Sequence, residues 1–249
     1  MLTGIDHLVI AVVDPDAAAS TLESALGLVS GGGGRHERLG TFNRLVWLGD
    51  TYLELIGVFD TDLAASSWVG APTLRALAAG GGLATWAIAT DAIDDDVRVL
   101  RERGSELAEP IAGERVRPDG RVVRWRLSAA GRLDRELPPF LIEHDQAAAE
   151  WTPADRTTRA AGPARLMALD LTVGDVSATI GRFLRTTGLR FRPSLAGAGA
   201  RDTDIGAQTV RLRPSRDSGR PPATMHLGIA GALPEQADLL GCRWIVAPR

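Results

Sequence analysis

The chain opens with a run, residues 3–13, in which apolar and β-branched residues occupy both alternate positions. Such a run is typical of a strand that is covered on both faces. Asp14-Pro15 follows, and an N-cap residue before a proline predicts the start of a helix. The helical pattern continues to about Leu26, and Gly27 predicts its end.

Two strand patterns follow this helix. They cover residues 41–48 and 51–58, and the intervening Gly49-Asp50 indicates a hairpin. The glycine run 31–34, which precedes them, predicts a turn.

The same order of elements then recurs. A second copy predicts a strand at 82–90, a helix from about Ile93 that ends before Gly104, and strands at 121–127 and 139–144. A third copy begins at Leu166 and includes a strand at 207–212. A fourth, shortened copy begins at Met225, with a short helix from Pro234 and a strand at 242–246. Internal repetition decides a fold more strongly than any single segment, and the repeated unit here is βαβββ, which predicts an α+β fold.

The predicted domain organisation follows from the repeats. Residues 147–164 are rich in Ala, Thr, Pro and Arg and separate the second copy from the third. We therefore expect a domain of two modules at 1–146, a linker at 147–164 and a degenerate second half at 165–249.

Composition and charge exclude several classes of protein. A net charge of −3 argues against a nucleic-acid binder, which needs a basic face. One cysteine, Cys242, excludes an internal disulfide framework and a multi-cysteine zinc site. No apolar run approaches the ~20 residues that cross a bilayer, and the N-terminus lacks the pattern of an export signal. The expectation is a cytoplasmic protein that contacts neither nucleic acid nor membrane.

Repeated βαβββ modules with a histidine in the first strand and a glutamate in the last resemble the vicinal-oxygen-chelate superfamily. The stretches Gly33 to Leu55, Pro118 to Trp125 and Pro139 to Ile142 are most similar to its poorly characterised glyoxalase-like domain group. The resemblance is good from residue 4 to about 146 and weakens after 165. It implies that two modules pair into a cupped, half-open barrel.

The resemblance also implies a metal site inside the cup, with one ligand from the first and one from the last strand of each module. The matching positions are His7, Glu54, Thr85 and Glu143. Thr85 departs from the usual histidine, which leaves His7, Glu54 and Glu143 as ligands. Imidazole with two carboxylates suits Zn, Mn, Fe or Ni.

Strand alternation predicts which side chains converge in the cup. His7 would share a face with Ile5 and Val9, with Asp6 on the other face; Glu143 would face inward and His144 outward. The residues leave an alternative open, in which His7 is an interior histidine bonded to Glu54 without any metal. A general base at Glu143 or Glu54 is compatible with both interpretations.

A second polar cluster is predicted at the mouth of the cup. His36, Thr41 and Asn43 lie near the glycine run, with Thr41 and Asn43 on one strand face, and Trp125 occupies the equivalent strand of the second module. We interpret these four residues as substrate-binding. The alternatives are turn chemistry for the polar residues and simple core packing for Trp125.

Two functional hypotheses follow from these residues. The first is a metal-dependent enzyme that acts on a small oxygenated substrate, of lyase, isomerase or dioxygenase type. The second is a non-catalytic protein of the same fold that binds a small molecule, as resistance proteins do. In either case the partner is a small ligand, and the chain is a monomer or homodimer. The second half offers Ala168, Arg211 and His226 at matching places, a set that cannot build the same site, so His226 is expected to be structural.

Overall fold

The structure is a computed structural model that describes residues 1–117, 120–130, 139–145, 164–215 and 222–249. Within the first half, eight strands are Leu2–Ala11 (β1), Ser30–His36 (β2), Thr41–Leu48 (β3), Thr51–Val58 (β4), Gly82–Thr90 (β5), Ile111–Val116 (β6), Val122–Ser128 (β7) and Phe140–His144 (β8). The helices are Pro15–Leu26 (α1), Thr61–Ser66 (α2), Gly70–Ala78 (α3) and Ile93–Glu102 (α4).

The second half, as far as it is described, contains one helix and seven strands. They are Arg165–Val173 (β9), Val176–Thr187 (α5), Arg192–Pro193 (β10), Arg201–Ile205 (β11), Gln208–Pro214 (β12), Ala223–Ile229 (β13), Glu235–Leu239 (β14) and Cys242–Pro248 (β15). The predicted linker at 147–164 lies, apart from Ala164, outside the described residues.

The strands of the first half form one sheet in the order β2-β3-β4-β1-β5-β8-β7-β6. Each βαβββ module contributes four adjacent strands, and the modules join where β1 and β5 pair antiparallel. The outermost strands approach each other, because Arg115 Nη1 of β6 donates to the carbonyl of Gly33 in β2 at 2.7 Å. The sheet is therefore a nearly closed cup, which confirms the predicted pairing of modules.

The second sheet has the order β10-β11-β12-β9-β13-β15-β14 and repeats this plan in reduced form. The predicted helix from Pro234 is wrong, since Glu235–Leu239 is a strand paired antiparallel with β15. The segment before Gly241 is too short for a stable helix, whereas pairing satisfies its backbone. The second half is therefore a degenerate module pair.

The glycine run 31–34 belongs to β2 and is not the predicted turn. Gly33 has a φ of +124°, and a Cβ there would lie 2.3 Å from the carbonyl oxygen of Asn43. The glycines therefore permit a close approach of backbone to backbone within a strand. Strand β6 was also not predicted, and it forms the far edge of the same sheet.

The two sheets share one hydrophobic core on the helix-covered side of the first sheet. Leu8 of β1, Trp86 of β5, Phe183 of α5 and Trp244 of β15 are all buried in it. The opposite, concave face of the first sheet has its own apolar cluster, which includes Val9 and Ala87. In the described part of the chain, no helix has the length and apolar character to cross a membrane.

The contact between the halves is testable at a glycine. A Cβ at Gly206, where φ is +58°, would lie 2.1 Å from the carbonyl oxygen of Thr3. Gly231 has a similar φ of +72° but nothing within 4 Å of such a Cβ. Gly231→Ala should therefore cost only the backbone strain, about 1–2 kcal/mol, and Gly206→Ala about 1–3 kcal/mol more through overpacking. Denaturant unfolding measures both, and equal losses would contradict the close approach.

Candidate functional site

The concave face of the first sheet encloses a cavity with an empty volume of about 600 Å³ including its open mouth. The part of this space that can hold the centre of a water-sized molecule measures about 70 Å³, so the enclosed cavity is narrow. Its apolar lining consists of Leu39, Leu45, Tyr52, Trp68, Val69, Val123, Trp125, Leu127, Phe140 and Ile142. Its polar lining consists of His7, His36, Asn43, Glu54, Arg115 and His144.

A β-bulge in β1 shapes the polar wall of the cavity. Ile5 pairs with Ile88 and His7 with the adjacent Ala87, so that Asp6 is an extra residue in β1. The predicted alternation is wrong at this point. Ile5 packs into the core on the helix side, while His7 faces the cavity, and the bulge allows Asp6 and His7 to bond each other.

The buried carboxylate of Asp6 connects two imidazoles. Its Oδ1 lies 2.6 Å from His7 Nδ1 and 3.2 Å from His144 Nε2. Burial acts to raise the pKa of Asp6, but attraction to His144 and the hydrogen bonds from both rings hold that pKa well below its usual range. Asp6 is therefore an ionised acceptor, so each ring must donate from the nitrogen that faces it.

This assignment fixes the tautomer of neutral His7. With Nδ1 protonated towards Asp6, the lone pair of Nε2 faces the cavity, where Glu54 Oε2 lies 3.6 Å away. Two acceptors face each other at this point. A proton on either group, or a donor atom of a ligand between them, removes the conflict.

Glu54 is held from the other side by Asn43. Asn43 Nδ2 donates to Glu54 Oε1 at 2.6 Å, and the Gly34 amide donates to Asn43 Oδ1 at 2.9 Å. The second bond fixes the orientation of the Asn43 amide, so its donor is directed at the carboxylate. Glu54 itself is buried, with 9% of its surface exposed.

His36 lies beside this pair and is anchored by Thr41. His36 Nδ1 is 2.9 Å from Thr41 Oγ1, and His36 Nε2 is 4.0 Å from Glu54 Oε1. Burial lowers the pKa of His36, the Glu54 carboxylate raises it and Arg115 lowers it, with a net decrease. Both His36 and Asn43 border the same cavity as His7, whereas the fully buried Thr41 supports His36 from behind.

Glu143 does not join His7 and Glu54, which corrects the predicted geometry. The pairing of Phe140 with the inward-facing Ala87 directs the even-numbered residues of β8 into the cavity. Glu143 therefore lies on the other face, with Oε2 3.4 Å from the Ile93 amide at the start of α4. His144 occupies the inward position and contacts Asp6, and sequence reasoning assigned a role to neither of these two residues.

The internal repeat shows which residues replace the remaining ligands of the predicted metal site. Leu8 pairs with Trp86 at the pseudo-two-fold axis, which makes Thr85 the counterpart of His7. Glu54 lies opposite Val9 and Phe140 opposite Ala87, so Phe140, rather than Glu143, is the counterpart of Glu54. The second module thus supplies a buried threonine and a phenyl ring.

These residues do not fit the metal site that the resemblance implies. Only His7 and Glu54 of the four corners are metal ligands in type, and the Phe140 ring packs edge-on against His7 with centroids 5.3 Å apart. In the described ranges, no three His, Cys, Asp or Glu side chains are grouped so as to hold a metal ion. Zinc, by comparison, takes three or four protein ligands.

Aromatic rings form the rest of the wall around His7. Tyr52 stacks on the imidazole with centroids 4.6 Å apart, and Trp68 packs edge-on against Phe140 at 4.8 Å. Trp125 also lines the cavity, and it lies against Gly113, where a Cβ would be 2.5 Å from its ring nitrogen. The space next to His7 is therefore bounded mainly by flat apolar surfaces.

The second sheet carries a different polar cluster. Asp170 is buried and ion-paired with Arg211 at 3.1 Å and Arg213 at 2.6 Å, and His226 Nε2 lies 3.2 Å from its Oδ2. Arg211, which is the counterpart of Glu54, is therefore paired internally. His226 contacts the same aspartate, so this cluster is occupied by its own ion pairs.

Comparisons with known proteins agree with the fold and the repeat. The family model described as "Glyoxalase-like domain" matches residues 5–189. The chain belongs to this glyoxalase-like domain family, which confirms the resemblance seen in the sequence. No curated protein matches the chain.

Solved structures extend the likeness to the whole chain. A hypothetical protein from Staphylococcus aureus is similar over 99% of this chain and 99% of that one, with a TM-score of 0.79 and 18% identity. That likeness shows the fold.

Methylmalonyl-CoA epimerases match a smaller part of the chain. One in complex with methylmalonyl-CoA and NH4+ covers 60% of this chain and 99% of its own, with a TM-score of 0.47 and 21% identity. A variant of the Streptomyces coelicolor epimerase in complex with 2-nitronate-propionyl-CoA covers 61% and 100%, with a TM-score of 0.45 and 22% identity.

The electrostatics of His36 give a direct test. Its imidazole should titrate below the ordinary histidine value, and Glu54→Gln should lower its pKa further, because the Glu54 carboxylate favours the charged ring. The chain has four histidines, so each Hε1 signal can be assigned by single substitution and followed by NMR against pH. His226, in the second sheet, is the internal control. A rise in the His36 pKa on Glu54→Gln would contradict the geometry.

Proposed function

We propose that this glyoxalase-like protein is an enzyme that moves a proton at a carbon next to a carbonyl group of a small oxygenated compound. One observation carries the proposal: an ionised, buried carboxylate, Asp6, lies 2.6 Å behind His7, while the other nitrogen of His7 faces the cavity. A carboxylate behind an imidazole fixes its tautomer and stabilises the imidazolium, as in the triads of hydrolases.

In this proposal His7 is the general base. Nε2 takes the proton, the electron pair of the broken C–H bond moves onto the carbonyl oxygen, and the positive charge on the ring is stabilised by Asp6. Glu54 Oε2, 3.6 Å from Nε2, then takes this proton from the imidazolium and returns it to carbon or to a leaving group, so that both side chains end in the state in which they began. The reaction is thus of the isomerase or lyase type, and the catalytic role expected of Glu143 passes to His7.

The donor set supports chemistry that needs no metal. His7, His36 and Glu54 lie near one another, but in the described ranges no three His, Cys, Asp or Glu side chains are grouped so as to hold an ion, as the two histidines and the carboxylate of a non-haem iron site are. A dioxygenase reaction is correspondingly less well supported than proton transfer. No step of the proposal depends on a cation.

The lining of the cavity supports a mostly apolar substrate. Tyr52, Trp68, Trp125 and Phe140 surround the space next to His7. In this proposal His36 and Asn43 bind oxygen atoms of the ligand, which is the role expected of them from the sequence. The proposed proton transfer next to a carbonyl group, together with this apolar lining, suggests carbonyl compounds with an apolar side chain, such as 2-oxo acids.

The same apolar lining also favours the second candidate, a protein that binds a small molecule without turnover. Binding would quench or shift the fluorescence of Trp68 and Trp125, which both line the cavity. Tight binding of a ligand whose protons do not exchange would favour this candidate over the enzyme.

Isotope exchange detects the proposed enzyme even when no product accumulates. In D2O, the wild type should exchange the proton next to the carbonyl of at least one 2-oxo acid from a panel with aromatic and branched side chains, followed by 1H NMR. His7→Gln should lower the rate about 10²–10⁴-fold, the usual contribution of a general base. Asp6→Asn should lower it by a similar factor, because the wrong tautomer is then favoured.

The matched control for this experiment is His226→Gln, which removes a histidine of the second sheet and should leave the exchange rate unchanged. Exchange that proceeds equally in the wild type and in His7→Gln would rule out His7 as the base.

Metal removal is a separate test. After dialysis against EDTA the exchange rate should be unchanged, and elemental analysis should find metal well below one equivalent per chain, because two ligands hold an ion weakly. If EDTA abolishes the exchange activity and Zn, Mn, Fe or Ni restores it, the metal-dependent hypothesis is supported instead.

A further inference from the structure

The bulge that joins Asp6 to His7 is held by side chains on its N-terminal side. The parallel ladder between β1 and β4 begins only at His7, which pairs with Tyr52. Before it, the Ile5 amide donates to Gln208 Oε1 at 3.0 Å, and Thr51 Oγ1 donates to the Ile5 carbonyl at 2.9 Å. Side chains thus replace the backbone partners of the residue that precedes the bulge.

Gln208 closes this arrangement into a ring of hydrogen bonds. Its Nε2 donates to Thr51 Oγ1 at 2.8 Å, so the Thr51 hydroxyl receives one hydrogen bond and gives another to Ile5. A primary amide supplies both the acceptor for the Ile5 N–H and the donor for the hydroxyl. We refer to Gln208, Thr51 and Ile5 as the Gln208 clip.

Gln208 belongs to the second half of the chain, where it is the first residue of β12. The turn before β12 lies directly on β1, since a Cβ at Gly206 would meet the Thr3 carbonyl and one at Gly4 would lie 3.0 Å from Gln208 Oε1. The Gln208 clip is therefore a fixed contact between the second half and the strand that carries the site.

We propose that Gln208 is a positioning residue through which the second half of the chain fixes the β1 bulge, and with it the contact of Asp6 with His7. The polar side chains of the second sheet are ion-paired with one another. The second half therefore contributes to the site through the Gln208 clip, which holds β1 in place. The catalytic consequence rests on the proposed function, but the positioning of Asp6 and His7 does not.

The Hδ1 proton of His7, donated to Asp6 Oδ1 at 2.6 Å, provides a readout that needs no substrate. A proton in such a short charge-assisted bond gives a low-field NMR signal that exchanges slowly with water. Asp6→Asn and His7→Gln assign the signal in the wild type. Gln208→Leu, which keeps the volume of the side chain and loses its polar atoms, should abolish the signal or move it upfield with faster exchange.

Two further variants separate positioning from general stability. Gln236→Leu changes an exposed glutamine of the same half and should leave the signal intact. Gln208→Glu retains an acceptor for the Ile5 amide and should restore part of it. If Gln208→Leu does not fold, Thr51→Val breaks the same clip from the first half and should have the same effect. An unchanged His7 signal in folded Gln208→Leu or Thr51→Val would overturn the inference.

The isotope-exchange assay then distinguishes this inference from the proposed function. If the enzyme is active, Gln208→Leu should reduce the exchange rate at saturating substrate about 10–100-fold, the scale expected for a misplaced catalytic group. A wild type without exchange activity, but with a His7 signal that depends on Gln208, would refute the function and leave the positioning role standing.

Discussion

The site depends on one buried charge, the carboxylate of Asp6. An ion of this kind costs several kcal/mol to remove from water unless it is paired and hydrogen-bonded. Here His7 and His144 donate to it from strands at different places in the sheet, and only 2% of the Asp6 surface is exposed. The need to satisfy this carboxylate explains the tautomer of His7 and the presence of a histidine in β8. The identity of the residues around it is therefore constrained by stability as well as by chemistry.

From the sequence, the cavity-facing side chains could be located in strands whose residues alternate regularly between the two faces. They could not be located where a β-bulge interrupts this alternation. The hairpin of β3 and β4 has an undisturbed register, so Asn43 and Glu54 could be placed on one face. Asp6 could not, because alternation along β1 gives no sign of the extra residue. Glu143 was predicted because the resemblance implies a ligand in the last strand of each module, whereas the face of β8 is decided by its register with β5, which the structure supplies.

The repeat shows how one backbone feature can be kept while its chemistry is lost. The first strand of each further copy with a helix also has one extra residue, Ala84 in β5 and Met167 in β9. The bulge is thus part of the architecture, and only in β1 does it carry an aspartate followed by a histidine. Where the first copy has Glu54, the others have Phe140 and Arg211. A symmetric fold therefore supports an asymmetric site, in which most of the polar groups that line the cavity come from the first module and only His144 and Arg115 come from the second.

The shared core gives a reason why the second half is retained in evolution. Phe183 of α5 packs near Trp86 of β5, with ring centroids 6.1 Å apart, so a helix of the second half covers an apolar surface of the first. The family match likewise continues beyond the two modules to residue 189. A gene shortened after the second module would encode a cup with its outer surface exposed to water. Deletion of the degenerate half would therefore destabilise the first half, even though the degenerate half lacks the residues of the site.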